Sequence, residues 1–411
     1  MVGVFPFKNY RVLFTPLIGK NTYGNVVDVT QDIDLTDFIK SLGTIKREID
    51  NGDYDIGIFT FGDITLSAIN FSRKFNTPDD HKSIFKFRRD RCRVEVLFYD
   101  EAGASTAKFN GLINDDATRL DFEKNIVRFK VLSLDSIFRQ VNVPAGAVVN
   151  GDLFSTAIKK ILNVPEITST FTYSAANITV DLDLAIDIGE YFSNIPAKTA
   201  LDDLLTASNS ILFVNNSDVL FVKPRTESAV QFNLYGAGDL YGRENILRIK
   251  EYNDGLHRAF SSVEVNDNGA VVTNANWVTE YGFRQKSVTF DFITTLSKEN
   301  QIAQNILDDF VVPKPELELT VKTSAVQGIQ LLDMVSVLYD YRYAPSDPDV
   351  SVPMWGSAKW GNFRYPKPVG AYRILPKTKF KVIMIEEDPA KFTTTLKLRQ
   401  TGTARHDGVF V

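Results

Sequence analysis

The sequence predicts a mainly β fold with α+β insertions, on three observations. Apolar and polar residues alternate with a period of two through two long blocks, the spacing that turns successive side chains to opposite faces of a sheet. Between the blocks the apolar spacing changes to three and four, the signature of short amphipathic helices. Phe (30) and Tyr (15) are plentiful while Met (4) and His (3) are scarce, which suits pleated strands better than helical bundles. At 411 residues the chain exceeds one ordinary core. The changes of texture divide it into a strand-rich domain over 1–144, small α+β units over 145–246 and a second strand-rich domain over 247–411.

From Asp55 to Val141 the pattern is almost all period two. In Arg91 to Tyr99, Cys92, Val94, Val96 and Phe98 point one way and Arg91, Arg93 and Glu95 the other, and turn-forming Asp100-Glu101-Ala102-Gly103 ends the run. Strands over Lys108 to Asn114 and Ile126 to Leu132 follow at hairpin distance, the latter reached through Lys124-Asn125. Past Pro144-Ala145-Gly146, Phe154, Ala157, Ile158, Ile161 and Leu162 predict a helix over Asp152 to Asn163, with Asn150 or Asp152 as its cap. A second helix, Pro196 to Ser208, carries Ala200, Leu201, Leu204 and Leu205 and leads into a hairpin, Ile211–Val214 and Val219–Val222, around Asn215-Asn216-Ser217-Asp218. Strands return over Leu247 to Val265 and Ser287 to Ile293. A helix capped by Ser297 then runs to Phe310, burying Ile302, Ala303, Ile306 and Leu307, and strands follow at Glu316 to Lys322 and Thr378 to Gln400. The segment 340–376 interrupts this order with prolines, Trp355, Trp360 and several tyrosines; so long an irregular stretch is usually functional or disordered.

Charge and composition exclude several classes. Lys plus Arg number 46 against 51 Asp plus Glu, a net charge of −5, which disfavours nucleic acid as the main partner. The single cysteine, Cys92, rules out an internal disulfide framework and a cysteine zinc cage. No apolar run reaches the ~18–20 residues of a membrane helix, and the first residues lack the features of a signal peptide, so a soluble protein is expected.

No catalytic, cofactor or metal constellation emerges, so a non-enzyme without cofactor or metal is expected. His81, His257 and His406 lack metal-ligand spacing. Gly236-Ala237-Gly238 with Gly242 departs from the dinucleotide fingerprint, and Asp50, Asp53 and Asp55 depart from the calcium loop. Asp181 and Asp183, alternating with Leu182 and Leu184, have the pattern of a strand's wet face. The basic stretch Lys82 to Arg93, with Arg88 and Arg89 beside Phe85 and Phe87, suits a rim or interface better than a nucleic-acid groove, because Asp90 interrupts it. Trp355, Trp360, Tyr365 and Tyr372 are the aromatic types that anchor protein interfaces and also stack on sugar rings. Protein docking is the stronger reading, since the segment lacks a cluster of acids or amides for sugar hydroxyls.

The order of segments resembles a known family. The stretch Lys86 to Val96, the strand Ala107-Lys108-Phe109-Asn110-Gly111-Leu112-Ile113-Asn114 and the run Val127 to Phe138 are similar to the first barrel of the tail hub proteins of bacteriophages and contractile injection machines. Ala200 to Arg225 resembles that family's middle domain, and Ser297 to Val337 its second barrel. The resemblance implies two tail-tube-like β-barrel domains flanking small α/β domains. It further implies a homotrimeric ring joining a tail tube or distal tail protein to a fibre, spike or tape-measure protein, with DNA passing through unbound. Such a protein is a structural part of the virion tail, assembled in the host cytoplasm. The segment 340–376 aligns with nothing in the family, and a carbohydrate-binding or glycan-cleaving tail protein is the alternative.

Overall fold

A computed structural model of the chain describes residues 10–16, 19–20, 26–27, 33–49, 57–58, 60–76, 92–99, 105–215, 218–225, 229–236, 243–253, 255, 259–267, 269–310, 314–340, 374–388 and 391–401. They fall into two compact units. The first takes in Met1–Thr226, Phe260–Val311 and Glu386–Phe392, and the second Glu227–Ala259, Val312–Ile385 and Thr393–Val411. Strands dominate and helices are few, the mainly β class expected from the alternation.

The first unit opens with a seven-stranded antiparallel sheet in the order Ile33–Asp34, Tyr10–Pro16, Cys92–Tyr99, Ser105–Asp121, Ile126–Ser133, Ile64–Ile69, Ile39–Leu42. Alternation does here what it predicted: Cys92, Val94 and Val96, with Val127, Phe129 and Val131, enter a core shared with Val12, Phe14, Leu66 and Phe75. Each such buried side chain contributes ~1.5–3 kcal/mol of transfer free energy. The outermost strands, Ile33–Asp34 and Ile39–Leu42, belong to one piece of chain interrupted by a single turn of 3-10 helix, Thr36–Phe38. The sheet therefore curls until both its edges meet that piece. Leu35 N–H donates to Val12 C=O at 2.9 Å, and Val12 N–H donates to Thr36 Oγ1 at 3.0 Å. Asp34 ties the corner by accepting from Thr36 N–H (2.9 Å), Thr36 Oγ1 (2.5 Å) and Arg11 Nε (2.7 Å).

The strand predicted over Lys108 to Asn114 runs much further, from Ser105 to Asp121, because a wide bulge lets it continue. Asn114 pairs with Lys130 and Arg119 with Arg128, so 115–118 stand against Phe129 alone. Gly111, between Val94 and Ser133, has no room for a side chain: a Cβ there would lie 2.3 Å from Leu132 O and 2.8 Å from Val131 Cγ1. That contact is the physical reason for the glycine in the Phe109-Asn110-Gly111-Leu112-Ile113 strand.

The α+β part of the same unit contains the helices Phe154–Leu162 and Ala197–Ala207, each burying the face its spacing predicted. The hairpin Ser210–Val214 and Leu220–Pro224 follows, and its first strand pairs in parallel with Gly57–Ile58. A small sheet of Ala270–Thr273, Ser262–Val265 and Gln285–Val288 packs under the helix Leu296–Phe310. Phe292 lies at the centre of a ring cluster, with centroids 4.9 Å from Phe192, 5.6 Å from Phe290 and 6.1 Å from Phe154.

Several local expectations need correction, each because a distant residue supplies what a near one was assigned. Neither Asn150 nor Asp152 caps the helix Phe154–Leu162: Asn150 accepts from Gly189 N–H at 2.7 Å, and Asp152 from Val149 N–H at 2.9 Å and Lys160 at 2.7 Å. Asp183 takes the role, accepting from Ser155 N–H at 2.9 Å and its hydroxyl at 2.7 Å, and it lies outside any strand, as does Asp181. Ser297 lies inside the helix Leu296–Phe310 rather than at its cap, because the first turn's Lys298 and Glu299 N–H groups donate to Thr295 C=O. Leu247 to Val265 is two strands, Ile246–Asn253 and Ser262–Val265, and the strand expected over Ser287 to Ile293 ends at Val288.

The second unit is built on six strands in the order Val230–Tyr235, Met334–Asp340, Ile374–Asp388, Thr393–Gln400, Glu316–Lys322, Ile246–Asn253. The strand Ile374–Asp388 begins inside the segment 340–376 expected to be irregular: Ile374 pairs with Asp340 and Leu375 with Tyr339, while 341–373 lie outside the described residues. Asn245 joins the outer strands at one end. Its N–H donates to Tyr235 C=O at 2.9 Å and its side chain accepts from Tyr235 N–H at 2.8 Å. Its C=O accepts from Lys322 N–H at 3.0 Å.

Gly111→Ala is expected to destabilise the chain by ~1–3 kcal/mol, the usual cost of overpacking, measured as a lowered midpoint in urea. An unchanged midpoint would show that the Leu132 carbonyl moves aside freely.

Candidate assembly surface

The residues singled out in the sequence as interface candidates, Trp355, Trp360, Tyr365, Tyr372, Arg88 and Arg89, all lie outside the described residues. So do His81, His257 and His406, and the glycine and aspartate turns at 237–242 and 50–56. Of the basic stretch, Arg93 is described, and it is engaged internally. Its Nε donates to Asn110 Oδ1 at 2.9 Å and its Nη2 to the Asp218 carboxylate, which also accepts from Asn110 Nδ2 at 2.8 Å. Burial pushes the Asp218 pKa up, and Arg93 and Asn110 offset this only partly. A hairpin turn in the α+β part is thereby fastened to the first sheet, a role that alternation alone could not show.

What the fold does present outward is an apolar end to the first sheet. Ile69 pairs with Ile126, which pairs on its other side with Asp121, and Asn70 N–H donates to Asn125 C=O at 2.8 Å. This register sets the turn after Asp121 beside the turn after Ile69. Phe122 is 79% exposed, Phe71 66% and Ile69 39%, so three large apolar side chains project from neighbouring turns. The turns under them are firmly held. Asn70 Oδ1 accepts from Phe75 N–H at 2.8 Å, and buried Phe75 packs against Phe38 and Phe129 with centroids 6.0 and 6.3 Å away. Asp121 Oδ1 accepts from Lys124 N–H at 3.0 Å, and Asn125 adopts the left-handed conformation (φ 53°) that asparagine tolerates. Sequence reasoning missed this surface, although one signal was available: Phe122 stands alone among turn-forming polar residues, where burial cannot be its purpose.

Charged groups inside the first unit serve as ties. Arg47 Nη2 donates to Glu387 Oε2 at 2.9 Å, with side chains only 3% and 1% exposed. Asp187 collects the start of the helix Leu296–Phe310, accepting from Thr294 N–H at 2.8 Å and Thr295 N–H at 3.0 Å and pairing with Lys298. Burial pushes Asp187 up, but Lys298 and the two threonines outweigh it and hold its pKa at about 2. The helix N-terminus adds a favourable field of the same sign. Among the described residues no group of three or more His, Cys, Asp or Glu is placed to hold a metal ion. No described helix is long and apolar enough to cross a membrane.

No known protein-family model matches the sequence, and no curated protein matches it. Solved structures do. The tail protein from Neisseria meningitidis is 14% identical, with a TM-score of 0.57 over 98% of each chain. The prophage tail protein gp18 from Listeria monocytogenes is 12% identical, with a TM-score of 0.51 over 96% of this chain and 95% of that one. A chain of the PdpA-VgrG complex of Francisella is 10% identical, with a TM-score of 0.51 over 98% of this chain and 59% of that one. The resemblance read from the order of segments is thus borne out at the level of the fold, along nearly the whole chain.

Asp187 generates a pH prediction. A carboxylate held at about 2 contributes stability that is complete above the ordinary carboxylate pKa of ~4 and lost as the pH falls toward 2. Asp187→Asn is expected to lower stability at pH 7 and to flatten the acid limb of the unfolding midpoint plotted against pH. An acid limb identical to that of the parent protein would show that Asp187 is not the group responsible.

Proposed function

We propose that this chain is a structural hub of a phage tail tip or baseplate, without enzymatic activity. On this reading three copies form a ring between a tail tube or distal tail protein and a fibre, spike or tape-measure protein. The hub resides in the virion tail and is assembled in the host cytoplasm. The observation that carries the reading is the end-to-end likeness to tail proteins, which covers 98% of both chains in the Neisseria case. A fold alone does not assign a function. Two features of this chain support the step: two curled sheets in one chain let three copies offer six similar faces, and the exposed Ile69, Phe71 and Phe122 form the kind of apolar projection that a partner covers.

The two large sheets are then the tube-like barrels expected in the domains 1–144 and 247–411, the second sheet also taking in Val230–Tyr235, while 145–246 together with 260–311 supplies the α+β part. DNA passes through the ring without being held, in keeping with the net charge of −5, because each phosphate contact would add salt-sensitive affinity that slows transit. Trp355, Trp360, Tyr365 and Tyr372, with Arg88 and Arg89, are assigned to contacts with neighbouring tail proteins.

Native mass spectrometry of the purified chain and of intact particles tests the ring: a trimer is expected, and a monomer in both would overturn it. Phe71→Ala combined with Phe122→Ala is expected to leave the unfolding midpoint within ~0.5 kcal/mol of the parent, since both side chains face solvent, while weakening assembly tenfold or more. Trp355→Ala with Trp360→Ala is expected to reduce incorporation into particles in the same way. If that variant assembles normally but no longer attaches to host glycans, the carbohydrate-binding alternative is the correct one.

A further inference from the structure

The two large sheets carry one hairpin twice. Residues 121–133 align with 388–400 without a gap, and the two stretches agree in more than their spacing. Asp121 Oδ1 accepts from Lys124 N–H at 3.0 Å, and Asp388 Oδ1 accepts from Lys391 N–H at 3.2 Å. The next residue, Asn125 in one turn and Phe392 in the other, is left-handed in both, with φ of 53° and 54°. Further along, Lys130 pairs with Asp63 and Lys397 with Glu316. In each case the acid lies on the neighbouring strand, two residues before the lysine's register partner, Thr65 or Glu318. Ile69 stands against Ile126 as Lys322 stands against Thr393, and a 3-10 turn follows each. On this shared frame the side chains differ. The first end exposes Ile69, Phe71 and Phe122, whereas the matching positions of the second hold Lys322, Ser324 and Pro389. The exposed ring of the second end, Phe392, takes the place of Asn125 instead. Charge differs as well. Two residues along each strand from Asp121, Ile126 and Ile69, on the same face, come Arg119, Arg128 and Ser67, with the arginines directly opposite one another. The second hairpin has Glu386 and Thr395 in their places. Arg119 donates to the carbonyls of Asp116 (2.7 Å) and Thr118 (3.0 Å), which orient the cation without neutralising it. Among the described residues no carboxylate pairs with Arg128. Exposed Arg73 and Lys124 add to the cations bordering the patch, against Asp121 and Glu123.

We propose that the apolar end of the first sheet binds one acidic segment of a neighbouring tail protein per chain, an inference that rests on the hub reading above. The segment sets its carboxylates on Arg119 and Arg128 and its apolar side chains against Ile69, Phe71 and Phe122. A partner offering two like subunits to each chain would meet the same backbone at both hairpin ends and would need the same side chains on both. Only the first end has them. The faces that three copies present are therefore alike in backbone and unlike in chemistry, and the acidic segment is bound once for each chain. Its charge follows from the arginines. Like charges directly opposite on neighbouring strands repel, and carboxylates placed between them turn that repulsion into attraction. The planar guanidinium forks suit discrete carboxylates at fixed positions better than a diffuse anionic surface, which favours a polypeptide over a membrane. The apolar side chains rise from turns already held by Asp121 and Asn70, so little order is lost when the segment docks.

The test is photo-crosslinking in assembled particles that carry the full chain with benzoylphenylalanine in place of Phe122 or, separately, of Phe392, both rings being exposed in the parent. The first position is expected to capture an acidic stretch of one other tail protein, identified by mass spectrometry of the linked peptide. The second is expected not to capture that stretch. The same stretch at both positions, a basic or uncharged stretch at 122, another copy of this chain, lipid, or no capture at 122 would each overturn the proposal. Arg119→Glu with Arg128→Glu forms a second arm. Its unfolding midpoint is expected to stay within ~2 °C of the parent, since both side chains face solvent, while incorporation into particles falls ~tenfold. Arg119→Lys with Arg128→Lys is expected to keep most of the parent's incorporation. Incorporation of the glutamate variant equal to that of the parent would likewise overturn the proposal. Absence of the parent chain itself from particles would instead count against the hub reading, so the two failures are told apart.

Discussion

A curled sheet must satisfy the backbone groups of its first and last strands, and the first unit meets that constraint with one short piece of chain. Residues 33–34 continue the sheet beyond Tyr10–Pro16, residues 39–42 continue it beyond Ile64–Ile69, and the turn Thr36–Phe38 connects them. An exposed edge would offer itself to any other strand. Here both edges are occupied by residues whose side chains also fill the interior, since Leu35 and Ile39 belong to the same buried cluster as Phe129 and Val94. The corner formed by Asp34, Thr36 and Arg11 fixes the place where one pairing ends and the other begins. Burial pushes the Asp34 pKa up, but the Thr36 bonds and Arg11 outweigh it, so the carboxylate stays charged and available to the turn. In the second unit Asn245 plays a comparable part, with backbone and amide together binding Tyr235 and Lys322.

The same economy recurs inside the first unit, where side chains far away in sequence complete local backbone. Asp183 caps the helix Phe154–Leu162, Asp187 gathers the start of Leu296–Phe310, and Asp218 ties a hairpin turn to Arg93 and Asn110. Helix termini and turns leave donors that must find partners, and burying them unpaired costs ~1–3 kcal/mol each. Arg47 and Glu387 are a stronger case, since removing either charge strands the other in the interior at a cost of ~3–5 kcal/mol. Such ties make the unit's parts interdependent, because the loss of one side chain leaves backbone or charge in another segment without its partner.

The outward surface follows a different logic. A hairpin end such as Phe122 on its tight turn is inexpensive to hold, because Asp121, Lys124 and Asn125 satisfy the turn without help from the aromatic ring. Phe71 is similar: Asn70 and Phe75 anchor the loop from within, leaving the neighbouring Phe free to face solvent. Large side chains on rigid supports lose little entropy on docking, which is how a small apolar patch can contribute disproportionately to an interface.

By itself the sequence determined the class of the fold and much of its local anatomy. Period-two runs gave Cys92–Tyr99, Ile126–Ser133 and Glu316–Lys322, and three-four spacing gave Phe154–Leu162, Ala197–Ala207 and Leu296–Phe310, because these patterns depend on residues that are neighbours along the chain. The order of these pieces also sufficed to point to the tail proteins whose fold the chain shares. The caps were misassigned, and the apolar end at Phe71 and Phe122 passed unseen, for one reason. Which carboxylate reaches which N–H, and which turns lie side by side, depends on strand register and on contacts spanning many residues, from Ser155 to Asp183 or from Arg93 to Asp218. The short-range pattern fixes which face of each element is apolar. Only the packed structure decides what each face meets, because that choice is made by the summed fit of the whole core and not by any one segment.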